Sequence, residues 1–151
     1  MRYNVATTFT RAAEEGLIDV AASMHVGPRG PTNDDTVFDY TRDVGFKLVD
    51  GYELFETGLT NTANSLVSDL HGRDVYLCFD MDFFDPSCAP GVCTPTWGGA
   101  SAREGLGFLQ ALSGLNVVGA DINTVSPPHD VGGMTAFLAG TVALEILTLF
   151  C

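Results

Sequence analysis

Residues 75–86 read Val-Tyr-Leu-Cys-Phe-Asp-Met-Asp-Phe-Phe-Asp-Pro, and this stretch decides the reading of the chain. The apolar run Val75–Phe79 fits a buried strand. It stops at three acids, Asp80, Asp82 and Asp85. Open α/β sheets bind their ligands at the carboxyl ends of the strands, which is where these acids fall. In an extended backbone side chains repeat every two residues, so Asp80 and Asp82 are expected on one face. Two carboxylates so placed repel each other unless a cation neutralises them, and hard divalent ions such as Mg²⁺ and Mn²⁺ favour oxygen ligands. The plainer reading is that Asp caps turns and helices after strands, and Asp85-Pro86 is a turn-starting pair.

Working outward, the pattern alternates strands with helices. Strands are expected at 21–26, 46–49, 75–79 and 115–122. Helices are expected at 11–15 with Gly16 as the stop, at 34–43 capped by Asn33 or Asp34, and at 52–56 and 60–70. A further helix is expected at 101–112, and a last one after Gly133. Ser101 followed by Glu104 forms a capping box. A Pro/Gly-rich loop fills 80–99. Alternation of this kind implies an α/β fold, a mainly parallel sheet covered by helices on both faces, in a three-layer α/β/α arrangement. The chain opens on a loop-like Asn-Val-Ala-Thr-Thr rather than a first strand, and reads as though something preceded it.

Bulk properties narrow the function. The 151 residues suffice for one domain with a real core. Seven basic against 19 acidic residues give a formal net charge of −12, which argues against nucleic acid and suits the attraction of small cations. The four cysteines, Cys78, Cys88, Cys93 and Cys151, contain no Cys-x-x-Cys pair, which argues against structural zinc. Cys78 reads as a core residue; Cys88 and Cys93 flank a Pro-Gly loop that a disulfide could close, a pairing that a reducing compartment disfavours. No apolar signal segment opens the chain, and a cytoplasmic location is expected. The apolar stretch 134–151 contains Glu145 and several small residues; it reads as a buried helix rather than a membrane span.

Residues 78–99, Cys-Phe-Asp-Met-Asp-Phe-Phe-Asp-Pro-Ser-Cys-Ala-Pro-Gly-Val-Cys-Thr-Pro-Thr-Trp-Gly-Gly, match a longer pattern. The match is ungapped and continues in Val-Gly-Ala-Asp-Ile-Asn-Thr-Val-Ser-Pro-Pro-His-Asp and in Met-Thr-Ala-Phe-Leu-Ala-Gly-Thr. With the earlier Phe-Thr-Arg-Ala-Ala-Glu-Glu-Gly-Leu-Ile-Asp and Gly-Pro-Arg-Gly-Pro, the chain resembles the ureohydrolases, the arginase and agmatinase family, on the agmatinase side. The resemblance implies an arginase-like fold of which residues 1–151 form a single partial domain, the carboxyl-terminal half. It implies a binuclear Mn²⁺ site that activates water to attack a guanidinium carbon and release urea. Asp80 would bridge both ions and Asp82 would bind one. It also implies a small guanidino substrate and a homo-oligomer when complete. No catalytic residue is assigned.

The departures from the family pattern carry as much information. The Gly-Gly-Asp-His and Asp-Ala-His-x-Asp segments that supply the other metal ligands are absent, and His25, His71 and His129 lie in no such context. Val5 stands where the family commonly carries a histidine. Thr124 stands where the family has its substrate-binding Glu, and Thr cannot form that charge-assisted pair with a guanidinium. Thr124 and His129 are the candidate substrate contacts, although a lone loop histidine such as His129 is better explained as a solvated residue. Asp85 is expected to orient the loop by capping N–H groups. Gly91, Gly98 and Gly99 read as turn glycines needing positive φ. Arg29 reads as a structural ion pair, His25 as a core residue and Trp97 as packing for the loop. The competing function is a non-catalytic remnant or partner-dependent subunit of the same fold.

Overall fold

A computed structural model describes residues 3–32 and 35–151. Helices α1 (Thr8–Glu14), α2 (Val37–Val44), α3 (Gly51–Thr57), α4 (Leu59–Asp69), α5 (Ala102–Ala111) and α6 (Met134–Thr148) alternate with strands β1 (Met24–Val26), β2 (Lys47–Val49), β3 (Asp74–Asp80) and β4 (Asn116–Asn123). The order matches the sequence reading element by element. The boundaries have local causes. Gly45, at φ 110°, adopts the left-handed conformation that stops α2. The Asp50 side chain accepts from Glu53 N–H at the start of α3. Ser101 and Glu104 form the expected capping box on α5. Helix α2 starts later than expected, after Thr36, and the expected cap at Asn33 or Asp34 lies outside the described residues.

All strand pairing is parallel, but it falls into two sheets rather than the single sheet expected. β1 pairs with β2 over three residue pairs, Met24 with Lys47 to Val26 with Val49. β3 pairs with β4 from Asp74 with Asn116 to Asp80 with Asn123. A register shift between Val75 and Tyr76 leaves Val118 as an extra, exposed residue. Fold class survives; sheet continuity does not.

The core lies against β3 and β4. Phe79, Met81, Phe84, Phe108, Leu109, Leu112, Val117, Val142 and Ile146 are all buried in one cluster fed by α4, α5 and α6. Glycine makes one close packing step possible: a Cβ at Gly105 in α5 would sit 2.1 Å from Phe84 Cε1, so only hydrogen fits there. Helix α6 corrects the expectation of a buried helix. Val142 and Ile146 face the core, but Phe137, Leu144 and Leu147 are exposed on its other side. Among the described residues no helix is long and apolar enough to cross a membrane.

Candidate active site at the carboxyl ends of β3 and β4

Strand β3 ends at Asp80, and the chain turns at once into a single 3-10 turn, Met81–Phe83. The extended alternation expected to align Asp80 and Asp82 is therefore broken, because Met81 buries its side chain completely and pulls the backbone into the core. The two acids still face a common field. Burial, followed by the charges of Asp82 and Asp121, pushes the Asp80 carboxyl above its ordinary value. The folded chain holds negative charge here that a cation would relieve.

The loops after β3 and β4 are stitched together around these acids. Asp82 N–H donates to Thr124 Oγ1 at 3.2 Å, and the Thr94 hydroxyl donates to Asp82 Oδ2. Cys93 N–H donates to Thr124 O at 2.8 Å, and Ser126 N–H to Gly91 O at 2.7 Å. Thr124 is the one non-glycine residue with positive φ among those described, at 69°. A β-branched residue in that region is strained, and such strain concentrates at functional sites. Asp80, Asp82 and Thr124 are thus brought together as candidates. His129 is exposed at the end of a 3-10 turn, its Nδ1 2.7 Å from Ser126 Oγ, and no hydrogen bond among the described residues ties it to either aspartate.

Asp85 does what the sequence suggested. Its carboxylate accepts from Ser87 N–H at 2.9 Å, Gly98 N–H at 2.9 Å and Gly99 N–H at 3.2 Å, pinning both ends of the loop. Bonds from Ser87 first, then from Gly98 and Gly99, hold this carboxyl below its usual range.

Several readings are corrected. Only Gly98 of the three loop glycines has positive φ, at 80°. Gly91 and Gly99 are required by close approach instead. A Cβ on Gly91 would meet Asp130 Cβ at 2.5 Å, and one on Gly99 would meet Arg29 Nη2 at 2.4 Å. Arg29 reaches backbone rather than a carboxylate: its Nη2 donates to Asp82 O at 2.8 Å, Phe84 O at 3.1 Å and Thr96 O at 2.8 Å. Turning carbonyls leave three acceptors converging on that one nitrogen, whose two hydrogens they share. Trp97 does not pack the loop; it is 75% exposed. The side chain of Val5 lies outside what the structure describes. His25 is half-buried between the rings of Phe9 and Phe46, and burial lowers its pKa, as a core histidine requires.

Two groups were missed in the sequence. Thr94 belongs to the Thr-Pro step of the loop and could have been found as a hydroxyl following the acids. Asp121 was visible only as a strand-end acid; its partners are long-range. Tyr76 Oη donates to it at 2.6 Å, and Asn123 Nδ2 donates to it and, at 3.4 Å, to Cys78 Sγ. Burial, then the charges of Asp80 and Asp121, pushes the Cys78 thiol up to about 12, which keeps it a thiol and no nucleophile. All four cysteines are free.

The profile of the arginase family matches residues 1–149. The chain belongs to the arginase family. This family member is 38% identical over 149 residues to guanidinopropionase from Pseudomonas aeruginosa, covering 97% of the chain and 46% of that protein. It is 34% identical over 139 residues to the mitochondrial guanidino acid hydrolase of Homo sapiens, covering 92% of the chain and 40% of that protein. Among solved structures, proclavaminate amidinohydrolase from Streptomyces clavuligerus superposes with a TM-score of 0.90 at 38% identity, over 99% of this chain and 50% of the other. The arginase-like fold is therefore shown, and the chain spans about half the length of the curated relatives it matches.

The binuclear manganese site that the family resemblance implies can be tested against the donors present. Among the described residues no group of three or more His, Cys, Asp or Glu side chains is disposed to hold a metal ion. An ion of this kind prefers six oxygen or nitrogen ligands. Asp80 and Asp82, the latter already engaged by Thr94, supply too few. The residues of this arginase-family chain do not by themselves fit that site.

Proposed function

We propose that this chain forms the carboxylate-bearing part of an agmatinase-like amidinohydrolase, which hydrolyses a small linear guanidino compound to urea and an amine. The observation that carries the reading is the junction of Asp80, Asp82 and Thr124 at the carboxyl ends of two paired parallel strands. That is the place where α/β sheets bind ligands. The names of the relatives, guanidinopropionase, guanidino acid hydrolase and proclavaminate amidinohydrolase, agree with this substrate class.

The roles of the chain's own residues follow from the geometry. Asp80 and Asp82 supply negative potential that attracts cations, and Asp80 does so at the expense of a raised pKa. Thr124 fixes the turn carrying Asp82 through its hydroxyl, and it offers a hydroxyl, not a carboxylate, to substrate. A guanidinium finds no charge-assisted partner at position 124, so its recognition falls to the aspartates and to groups outside this chain. Asp85 holds together the loop that carries Thr94, the hydroxyl partner of Asp82. Asp80 and Asp82 would be this chain's contribution to any metal site completed by residues outside it, and a metal ion held there would supply an activated water. In the same reading the complete protein is a homo-oligomer.

The test is urea release from agmatine with Mn²⁺ present. The purified chain is expected to give no more urea than its Asp80→Ala variant. Mixed with the missing portion of the domain, it is expected to give urea in an Asp80-dependent manner. Turnover by the chain alone would overturn the account of the missing ligands. No release of urea from agmatine in any such mixture would favour a non-catalytic subunit.

A further inference from the structure

Arg29 stands on the turn that follows β1, and the backbone around it is fixed first. Gly27 N–H donates to Val49 O at 2.8 Å, and Pro28 O accepts from Gly51 N–H at 3.0 Å. Gly27 and Gly30, on either side, have positive φ, at 82° and 89°. Pro28 and Pro31 restrict two further φ angles. The point from which the side chain departs is thereby set.

Glycines clear its route. A Cβ on Gly51 would stand 3.0 Å from Arg29 Cβ, and one on Gly99 would stand 2.4 Å from Arg29 Nη2. A Cβ on Gly30 would stand 2.5 Å from Cγ2 of Thr96, the residue whose carbonyl Arg29 binds. Room is thus made at the stem of the side chain and at its tip. Burial lowers the pKa of this guanidinium, and the charges of Asp82 and Asp85 oppose the fall. Its Nε is buried with no hydrogen-bond partner among the described residues. A buried donor left unmet opposes folding, so what Nη2 holds has to offset it.

Nη2 holds the backbone beside two groups of the candidate site. Asp82 O and Phe84 O belong to the turn after β3, and Thr96 O belongs to the loop that follows. Thr94, two residues before Thr96, donates its hydroxyl to Asp82 Oδ2 and accepts at its carbonyl from Thr96 Oγ1 at 3.3 Å. Asp82 is therefore held in three ways: its N–H by Thr124, its carboxylate by Thr94 and its carbonyl by Arg29. Carbonyls aimed at one point repel each other when no cation stands between them. Without the guanidinium the turn and the loop would part, and the Asp82–Thr94 pair with them.

We infer that Arg29 is a positioning residue of the candidate site: through the carbonyls of Asp82, Phe84 and Thr96 it fixes the Asp82 carboxylate and the Thr94 hydroxyl relative to each other. The consequence for catalysis rests on the functional reading above; the positioning itself does not. Lysine replaces this arginine poorly, because its side chain ends one bond nearer the backbone and its ammonium is more strongly hydrated.

The experiment compares the full chain with Arg29→Met and Arg29→Lys by amide exchange. Methionine keeps an unbranched stem and removes every donor. Exchange at Asp82 and Gly99 is expected to speed about tenfold or more in Arg29→Met, while Phe79 in β3 and Leu109 in α5 stay within about twofold. Trp97 is the single tryptophan and follows Thr96, so its emission anisotropy is expected to fall as well. Arg29→Lys is expected to show the same pattern at smaller amplitude, and it decides if Arg29→Met does not fold. Unchanged exchange at Asp82 and Gly99 in the deciding variant overturns the proposal. So does an equal rise at Phe79 and Leu109, which would make Arg29 a prop of the whole fold. The variants are then mixed with the missing portion of the domain, agmatine and Mn²⁺. There kcat for urea release is expected to fall about tenfold to a hundredfold, with KM within about threefold of wild type. Wild-type turnover by a variant whose loop has loosened overturns the consequence for catalysis. No urea from the wild-type mixture counts against the amidinohydrolase reading and leaves exchange at Asp82 and Gly99 to judge Arg29.

Discussion

The β3–β4 half and the β1–β2 half of this chain use the same parallel pairing and differ in what backs it. β3 and β4 share seven register pairs and rest on the buried cluster of Phe79, Phe84, Phe108 and Val117. β1 and β2 share three pairs, and none of their six residues is buried. A parallel pair gains little by itself; it is stabilised by the layers packed against it. The first half is organised by its own sequence. The second has no buried residue of its own in either strand, and one edge of each strand is unpaired among the described residues.

The sharpest way to break this contrast is to remove the ring at its centre. Phe84→Ala is expected to destabilise the chain by about 3–5 kcal/mol, the usual cost of deleting a buried aromatic side chain. Urea denaturation should show it, and amide exchange should speed in β3 and β4. If only β1 and β2 loosen, the assignment of the stable half is wrong. Gly105→Ala tests the same packing from the other side. Its methyl has no room against Phe84, and a loss of about 1–3 kcal/mol is expected on thermal unfolding.

Asp85→Ala addresses the loop over the stable half. Losing the acceptor for three N–H groups should cost about 1 kcal/mol at neutral pH. Because the folded state depresses this carboxyl, its contribution is complete above the ordinary Asp value and fades as pH falls through the lower folded value. The stability gap between wild type and variant, measured against pH, should close in acid. Asp80→Asn carries the opposite sign and the smallest effect. Asp80 binds its proton more tightly when folded, so its charge opposes folding above its raised pKa, and that penalty disappears as pH falls below the unfolded value. The variant should melt slightly higher than wild type near neutral pH and equally in acid.

What could be read from the chain beforehand follows the same division. The apolar run Val75–Phe79 and the capping box at Ser101 are local signals; the box formed as expected, and the run became a strand in which only Phe79 is buried and Tyr76 is exposed. Asp85 was legible because an acid before Pro in a glycine-rich loop has few uses other than accepting N–H groups. Arg29 was misread because its acceptors are carbonyls of residues more than fifty positions away, which no local pattern announces. Gly91 and Gly99 were assigned to turns because spacing reveals a glycine but not the neighbour pressed against it. The single sheet was inferred from alternation, and alternation fixes the order of elements without saying which edges meet. In the site, Asp80, Asp82 and Thr124 were nominated by motif; that Thr124 holds the backbone of Asp82 was not.

Thr124 has a bearing on how this chain could be redesigned. Its left-handed backbone would be relaxed by glycine, and asparagine tolerates that conformation better than a β-branched residue does. A library selected only for thermal stability would therefore tend to discard the threonine. The winners would be sturdier chains from which the hydroxyl that anchors the Asp82 turn had been quietly bred out. Selection at position 124 is informative only when stability and ligand capture are scored together.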